Sequence, residues 1–240
     1  WCRSRTQVPH MRREVIRVRV NIEGVIVSND EKWIYDWYLM DAICPKDIQN
    51  AIESANGEKL DVYISSGGGD IFAGADIYTA LKMYPGEVNI YIPSLAGSAA
   101  SEIAMAGKSF MSPNALMMVH NVSVYGASGD YHEMDKTSEM LQKANQSIAN
   151  AYMVKSGMGK DETLEMMDKT TWLTAQDAKE KGLIDEILFI DDKEDLFLAN
   201  DFAGMLSKEK KEAAVSARDK QSLEANETLK NKLLLELDLI

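Results

Sequence analysis

At 240 residues and 45% hydrophobic, the chain can bury a full core, and its length suits one catalytic domain with flanking segments. A formal net charge of -12 opposes phosphate backbones and anionic headgroups, which argues against nucleic acid or a membrane surface as partner. The longest apolar runs, such as residues 115–119, fall far short of the roughly 20 residues that cross a bilayer, and the two cysteines, Cys2 and Cys44, suggest no disulfide framework, so a cytoplasmic setting is expected.

Residues 1–10 (WCRSRTQVPH) lack periodicity and precede Met11, so they read as a vector-derived leader. The domain is expected over 11–201, followed by a charged helical or disordered tail over 202–240. From Arg12, Val15, Arg17 and Arg19 alternate with Ile16, Val18 and Val20, and a second apolar run at 25–27 follows Gly24; these predict two opening strands. Residues 60–65 (LDVYIS) predict a strand that runs into a glycine turn at 67–69, then a helix carrying Ile71, Ala75, Tyr78 and Leu81. The pattern repeats with a strand at 88–92, a small-residue turn at 94–98, a short apolar helix at 99–106 and a buried strand at 116–119 ending on His120. Strands alternating with helices at this spacing imply crossover units around a largely parallel sheet, an α/β fold.

Between 130 and 155 a stripe of Met134, Leu141, Ala144, Ile148 and Tyr152 predicts one helix of about seven turns, long enough to project toward a neighbouring subunit. Another helix follows Lys160. Thr174 and Asp177 then have capping-box spacing, with Gly182 as the stop before a strand at 183–189.

Both small-residue turns precede helix N-termini, whose unpaired N–H groups could stabilise an oxyanion. A serine becomes a nucleophile when a base takes its proton, and Ser101 with His120 could form that pair. The plainer reading keeps the glycines and alanines for helix-to-sheet packing, Ser101 as a helix-start residue and His120 as a strand-end histidine. Glycine turns also hold thioesters in crotonase-type acyl-CoA enzymes, and phosphates elsewhere. No zinc, calcium-loop, Walker or Rossmann spacing occurs, so neither metal nor cofactor is expected.

Taken together and in order, YISSGGGDIFAGADIY, LAGSAASEIAMAG, PNALMMVHN and TTWLTAQDAKEKGLIDEI make residues 21–190 resemble the Clp protease proteolytic subunit family, ClpP, and within it the ClpP-like head-maturation proteases of phages and prophages. The resemblance implies a crotonase-like spiral of βαβ units with a long projecting helix, and serine endopeptidase activity through an acyl-enzyme. It implies Ser101, the last serine of G-x-A-A-S, as nucleophile and His120 as base, with Ser98 left in the turn. Gly69 and Glu102 would supply the oxyanion hole, and Gly68 would bind substrate. The family's acid falls on Thr170, so the triad's third place is open; Asp168, facing the same way if that segment is extended, is the alternative. The resemblance also implies a homo-oligomer of stacked heptameric rings, a protein or peptide substrate, and a Clp-type ATPase or phage capsid proteins as partners. A nearly inactive assembly subunit and a crotonase-like acyl-CoA enzyme are the rival readings.

Overall fold

In the computed structural model the chain divides into two units after residue 194; residues 17–189 are described in the first, and only Ser216 and Lys220, both helical, in the second. The leader reading of residues 1–10, the tail reading of 202–240 and the limits at 11 and 201 lie outside the described residues, apart from those two positions.

Strand β1 (Arg17–Ile26) alternates as its sequence predicts and buries Val20, Ile22 and Ile26. It is one strand rather than two. Gly24, at φ 75°, forms a bulge between Glu23 and Val25, and a Cβ there would lie 1.8 Å from the Asp41 carbonyl oxygen. Helix α1 (Lys32–Trp37) buries none of its residues, and strand β2 (Ala42–Ile43) pairs with β1. Helix α2 (Pro45–Ala55) starts on a proline, has a capping box between Cys44 and Asp47, and sends Ile48 into the core. The sequence analysis assigns none of these three elements, although Ile48, Ala51, Ile52 and Ala55 of α2 recur at helical spacing and pack in or against the core.

Strand β3 (Lys59–Gly69) runs straight through the glycine segment, where a turn is expected, because β1 pairs with it as far as Gly69. Asp70 then caps helix α3 (Ile71–Met83), its Oδ1 accepting from the Ala73 N–H at 2.7 Å. Strand β4 (Val88–Ile92) matches expectation, whereas the predicted turn at 94–98 contains strand β5 (Leu95–Gly97). Helix α4 (Ala99–Ile103) tightens into a 3-10 turn over Ala104–Ala106, followed by β6 (Lys108–Met111) and β7 (Leu116–Val119). After α5 (Tyr131–Ser156) come α6 (Lys160–Asp168), β8 (Thr171–Thr174), α7 (Ala175–Glu180), capped by Thr174 and Asp177 as predicted, and a strand shorter than expected, β9 (Glu186–Ile187).

The sheet order is β8-β7-β5-β3-β4-β6-β9, with β1 also on β3 and β2 on β1; every pairing is parallel except β7 with β8. This is the α/β architecture with a mostly parallel sheet that the sequence predicts. Strand β3 serves two neighbours in turn: residues 60–63 pair with β4, and Ser66 pairs with Ala96 of β5. The rings of Tyr63, Tyr91 and Phe110 stack across β3, β4 and β6 at 4.8 and 5.2 Å, adding cross-strand contact to the ladder.

Helix α5 starts on a capping box of Asp130 and Glu133 and ends at Gly157 in the left-handed region. Its buried residues, Ala149, Ala151 and Tyr152, all lie near its C-terminal end. There Lys155 donates to the Gly107 carbonyl at 2.9 Å and pairs with Asp185, which also accepts from the Ser109 N–H at 2.7 Å. The helix is thus fastened by one end to β6 and to the segment before β9. Among the described residues no helix is long and apolar enough to cross a membrane.

Candidate active site

One residue, Ser98, connects β5 to α4. It takes φ 53° and ψ -127°, a conformation costly for a residue with a Cβ, and such strained strand-to-helix turns lift a side chain clear of the sheet. Its N–H donates to the Met118 carbonyl of β7 at 2.8 Å, and its carbonyl accepts from the Ser101 N–H at 2.9 Å and the Glu102 N–H at 3.3 Å. The turn is therefore held on both sides by backbone. Its Oγ lies 2.8 Å from His120 Nε2, hydrogen-bond range for a hydroxyl donating to a neutral imidazole. The parallel register of β5 and β7, with Gly97 opposite Met118, brings the two together across 22 residues of sequence.

Ser98 and His120 line a cavity of 520 Å³ with Gly69 and Ala99 beside them. Its further walls are mostly apolar, with Val25 and Val27, Phe72 of α3, and Met140, Leu141 and Ile148 of α5.

The structure separates several residues that the sequence analysis groups. Ser101 does not meet His120: it lies in the first turn of α4, has no exposed surface, donates from Oγ to the Ser98 carbonyl at 2.6 Å, and stands 2.7 Å from the Tyr152 hydroxyl. Glu102 supplies no free N–H, since that group is held by the Ser98 carbonyl inside the first turn. Its carboxyl is buried, Oε2 has no hydrogen-bond partner among the described residues, and desolvation pushes its pKa up to about 7. Gly68 does not line the cavity; its N–H donates to Ser66 Oγ at 3.1 Å and it packs beneath Ser98.

Asp168 is the last residue of α6, not part of an extended segment, so the same-face argument fails. Its Oδ1 accepts from Asn121 Nδ2 at 2.6 Å, one residue away from His120. Thr170 is exposed at φ 49°, where the chain reverses between α6 and β8. Among the described residues no cluster of three or more His, Cys, Asp or Glu could hold a metal ion.

Gly68 is a sensitive point because its φ is 103° and a Cβ would come within 2.7 Å of the Gly97 carbonyl oxygen and of the Ser98 Cβ. Gly68→Ala should displace the serine turn, cost about 2–3 kcal/mol of stability and slow any reaction at Ser98 by about 100-fold or more. Thermal melting together with the rate of Ser98 acylation measures both, and a wild-type rate in a folded variant would refute it.

Known sequences resemble this chain over much of its length. The family described as Clp protease matches residues 44–191, well over half of the chain. An ATP-dependent Clp protease proteolytic subunit of Bacteroides fragilis is 32% identical over 135 residues, 55% of this chain and 65% of that protein. One from Bacteroides thetaiotaomicron is 30% identical over 135 residues, covering 61% of its own length. A subunit 1 of the same description from Chlamydia abortus is 31% identical over 137 residues and 71% of its length. The chain thus spans a little under two thirds of the length of the Bacteroides relatives. A family match over well more than half of the chain, on a mostly parallel α/β sheet, places the chain in the Clp protease family.

Proposed function

We propose that this chain is a serine peptidase in which Ser98 is the nucleophile and His120 the general base. The observation that carries the reading is the 2.8 Å contact between Ser98 Oγ and His120 Nε2 at the wall of the cavity. As Oγ attacks the scissile carbonyl carbon, its proton passes to Nε2; the imidazolium then protonates the leaving amine, and an acyl-enzyme remains. Water, deprotonated by the same imidazole, attacks the ester and frees Ser98.

The oxyanion needs donors in place beforehand, each worth about 10²–10³ in rate. Gly69 and Ala99 replace the pair inferred from sequence. Ala99 is the first residue of α4, so its N–H has no partner within the helix. Asp70 N–H bonds the Ile26 carbonyl in the parallel register that sets Ile26 opposite Gly69, which turns the Gly69 N–H away from β1.

No carboxylate takes the place of a triad acid beside His120 among the described residues; Asp168 reaches only its neighbour Asn121. A dyad with an oxyanion hole still catalyses, more slowly. That missing contact also favours a second reading, a nearly inactive subunit kept for assembly. The chain's likeness to ATP-dependent proteolytic subunits supports a Clp-type ATPase as partner, and the exposed N-terminal part of α5 supports contact between copies in stacked heptameric rings. The phage capsid reading stands on the sequence variants alone.

Labelling with a fluorophosphonate, followed by peptide mass spectrometry, tests the reading. The expected adduct is on Ser98 and is lost in His120→Ala. An intact oligomer without adduct would leave the assembly subunit as the better account, and an adduct on Ser101 would overturn the assignment of the nucleophile.

A further inference from the structure

We propose that Tyr152 and Ser101 are positioning residues, a buried hydroxyl relay from α5 that fixes the direction of the Ala99 N–H at the catalytic turn. The inference rests on the reading of Ser98 as nucleophile and deepens it.

The direction of the relay follows from proton counting. Ser101 Oγ lies 2.6 Å from the Ser98 carbonyl and 2.7 Å from the Tyr152 hydroxyl. A carbonyl oxygen only accepts, so the single hydroxyl proton of Ser101 goes to Ser98, and Tyr152 must donate to Ser101. Tyr152 is 1% exposed and Ser101 not at all, so water does not compete for either bond. Burial, and secondarily the nearby Glu102, hold the Tyr152 phenol above its ordinary pKa despite the Ser101 hydrogen bond, so it stays a neutral donor through the physiological range.

What the relay holds is a peptide plane. The Ser98 carbonyl and the Ala99 N–H belong to the same trans peptide and point in opposite directions. Pinning the carbonyl oxygen with the Ser101 hydroxyl, in addition to the two N–H groups of the first helical turn, therefore aims the Ala99 N–H at the cavity. The turn needs such support because Ser98 sits at φ 53°, where a residue with a Cβ relaxes unless it is restrained. Tyr152 belongs to the buried end of α5, the end that is fastened to the sheet, and its ring also lines the cavity.

An interaction that aims an oxyanion donor acts on the transition state and not on ground-state binding. The test is the inactivation kinetics of the full chain with a fluorophosphonate, whose phosphoryl oxygen takes the oxyanion position, separated into the maximal rate and the half-saturating concentration. Tyr152→Phe and Ser101→Ala should each lower the maximal rate about 10-fold with the half-saturating concentration unchanged. The double variant should lose no more than the worse single variant, since both interrupt one relay. Ser101→Thr, which keeps the hydroxyl, should return to within about 3-fold of wild type.

Wild-type maximal rates in either single variant, a change in half-saturation alone, or multiplicative losses in the double variant would overturn the relay. So would a Ser101→Thr chain that melts with wild type yet labels as slowly as Ser101→Ala. If wild type itself is not labelled at Ser98, the nucleophile assignment fails and the relay with it; a labelled wild type with unaffected variants removes the relay alone.

Discussion

Ser98→Ala is expected to lower peptide hydrolysis by on the order of 10⁴-fold or more, whereas Ser101→Ala should retain about a tenth of the activity. The two serines stand three residues apart in sequence and differ in everything that makes a nucleophile. Ser98 projects from a strained turn into the cavity with an imidazole nitrogen at 2.8 Å. Ser101 is wholly buried, its proton is committed to a carbonyl and its lone pair to a phenol, so a substrate carbonyl has no path to it. Single-turnover hydrolysis of a fluorogenic peptide by the two variants distinguishes them, and an inactive Ser101→Ala beside an active Ser98→Ala would exchange their roles.

The second large effect concerns stability. Glu102 is 4% exposed, its Oε2 is unpaired among the described residues, and burial holds its carboxyl at a pKa of about 7 against an ordinary value of 4.5. Its sign is opposite to that of a carboxylate in an ion pair. As pH rises from 4.5 toward 7 the unfolded chain releases this proton while the folded chain keeps it, so stability falls across that window and levels off above it. At 1.36 kcal/mol per unit the cost reaches about 3 kcal/mol. Asp177 and Asp185, whose carboxyls sit below their usual value of 3.8, contribute stability that is lost only at more acid pH, so the windows do not overlap. Glu102→Gln, which cannot ionise, should therefore raise the melting temperature by about 5–10 °C at pH 8 and change it little near pH 4.5. An unaltered slope of stability between pH 5 and 7 in this variant would show that the carboxyl finds a partner or water when it ionises.

The architecture was legible where local pattern and tertiary environment agree. The runs at 88–92 and 116–119, the long helix with its Asp130 start and the Thr174 cap all appear in the structure near their predicted places. The glycine run misled because a glycine-rich segment reads as a turn, although β1 was available to keep it extended as far as Gly69. The site was half legible. The motif narrowed it to one small-residue segment and one histidine, but the choice between Ser98 and Ser101 depended on which serine occupies the turn and which lies within the helix. A physical signal was present: residues 99–106 (AASEIAMA) are apolar almost throughout, so a serine inside them is destined for burial, while Ser98 at the boundary is not. The partner of Asp168 was not legible at all, because it depends on where α6 stops.

Ser98 and His120 follow the ends of neighbouring strands, and their meeting depends on Gly97 standing opposite Met118. Side chains alternate between the two faces of a strand, so a slip of one residue between β5 and β7 would send the imidazole to the far side of the sheet. The approach to β7 guards that register: the Ser112 N–H donates to the Ile92 carbonyl and the Leu116 N–H to the Ser94 carbonyl. An insertion within 116–120 would turn Met117 and Val119, both wholly buried, out of the core and would carry His120 away from Ser98, which makes alignment between two strands, more than the identity of either side chain, the quantity this fold must keep.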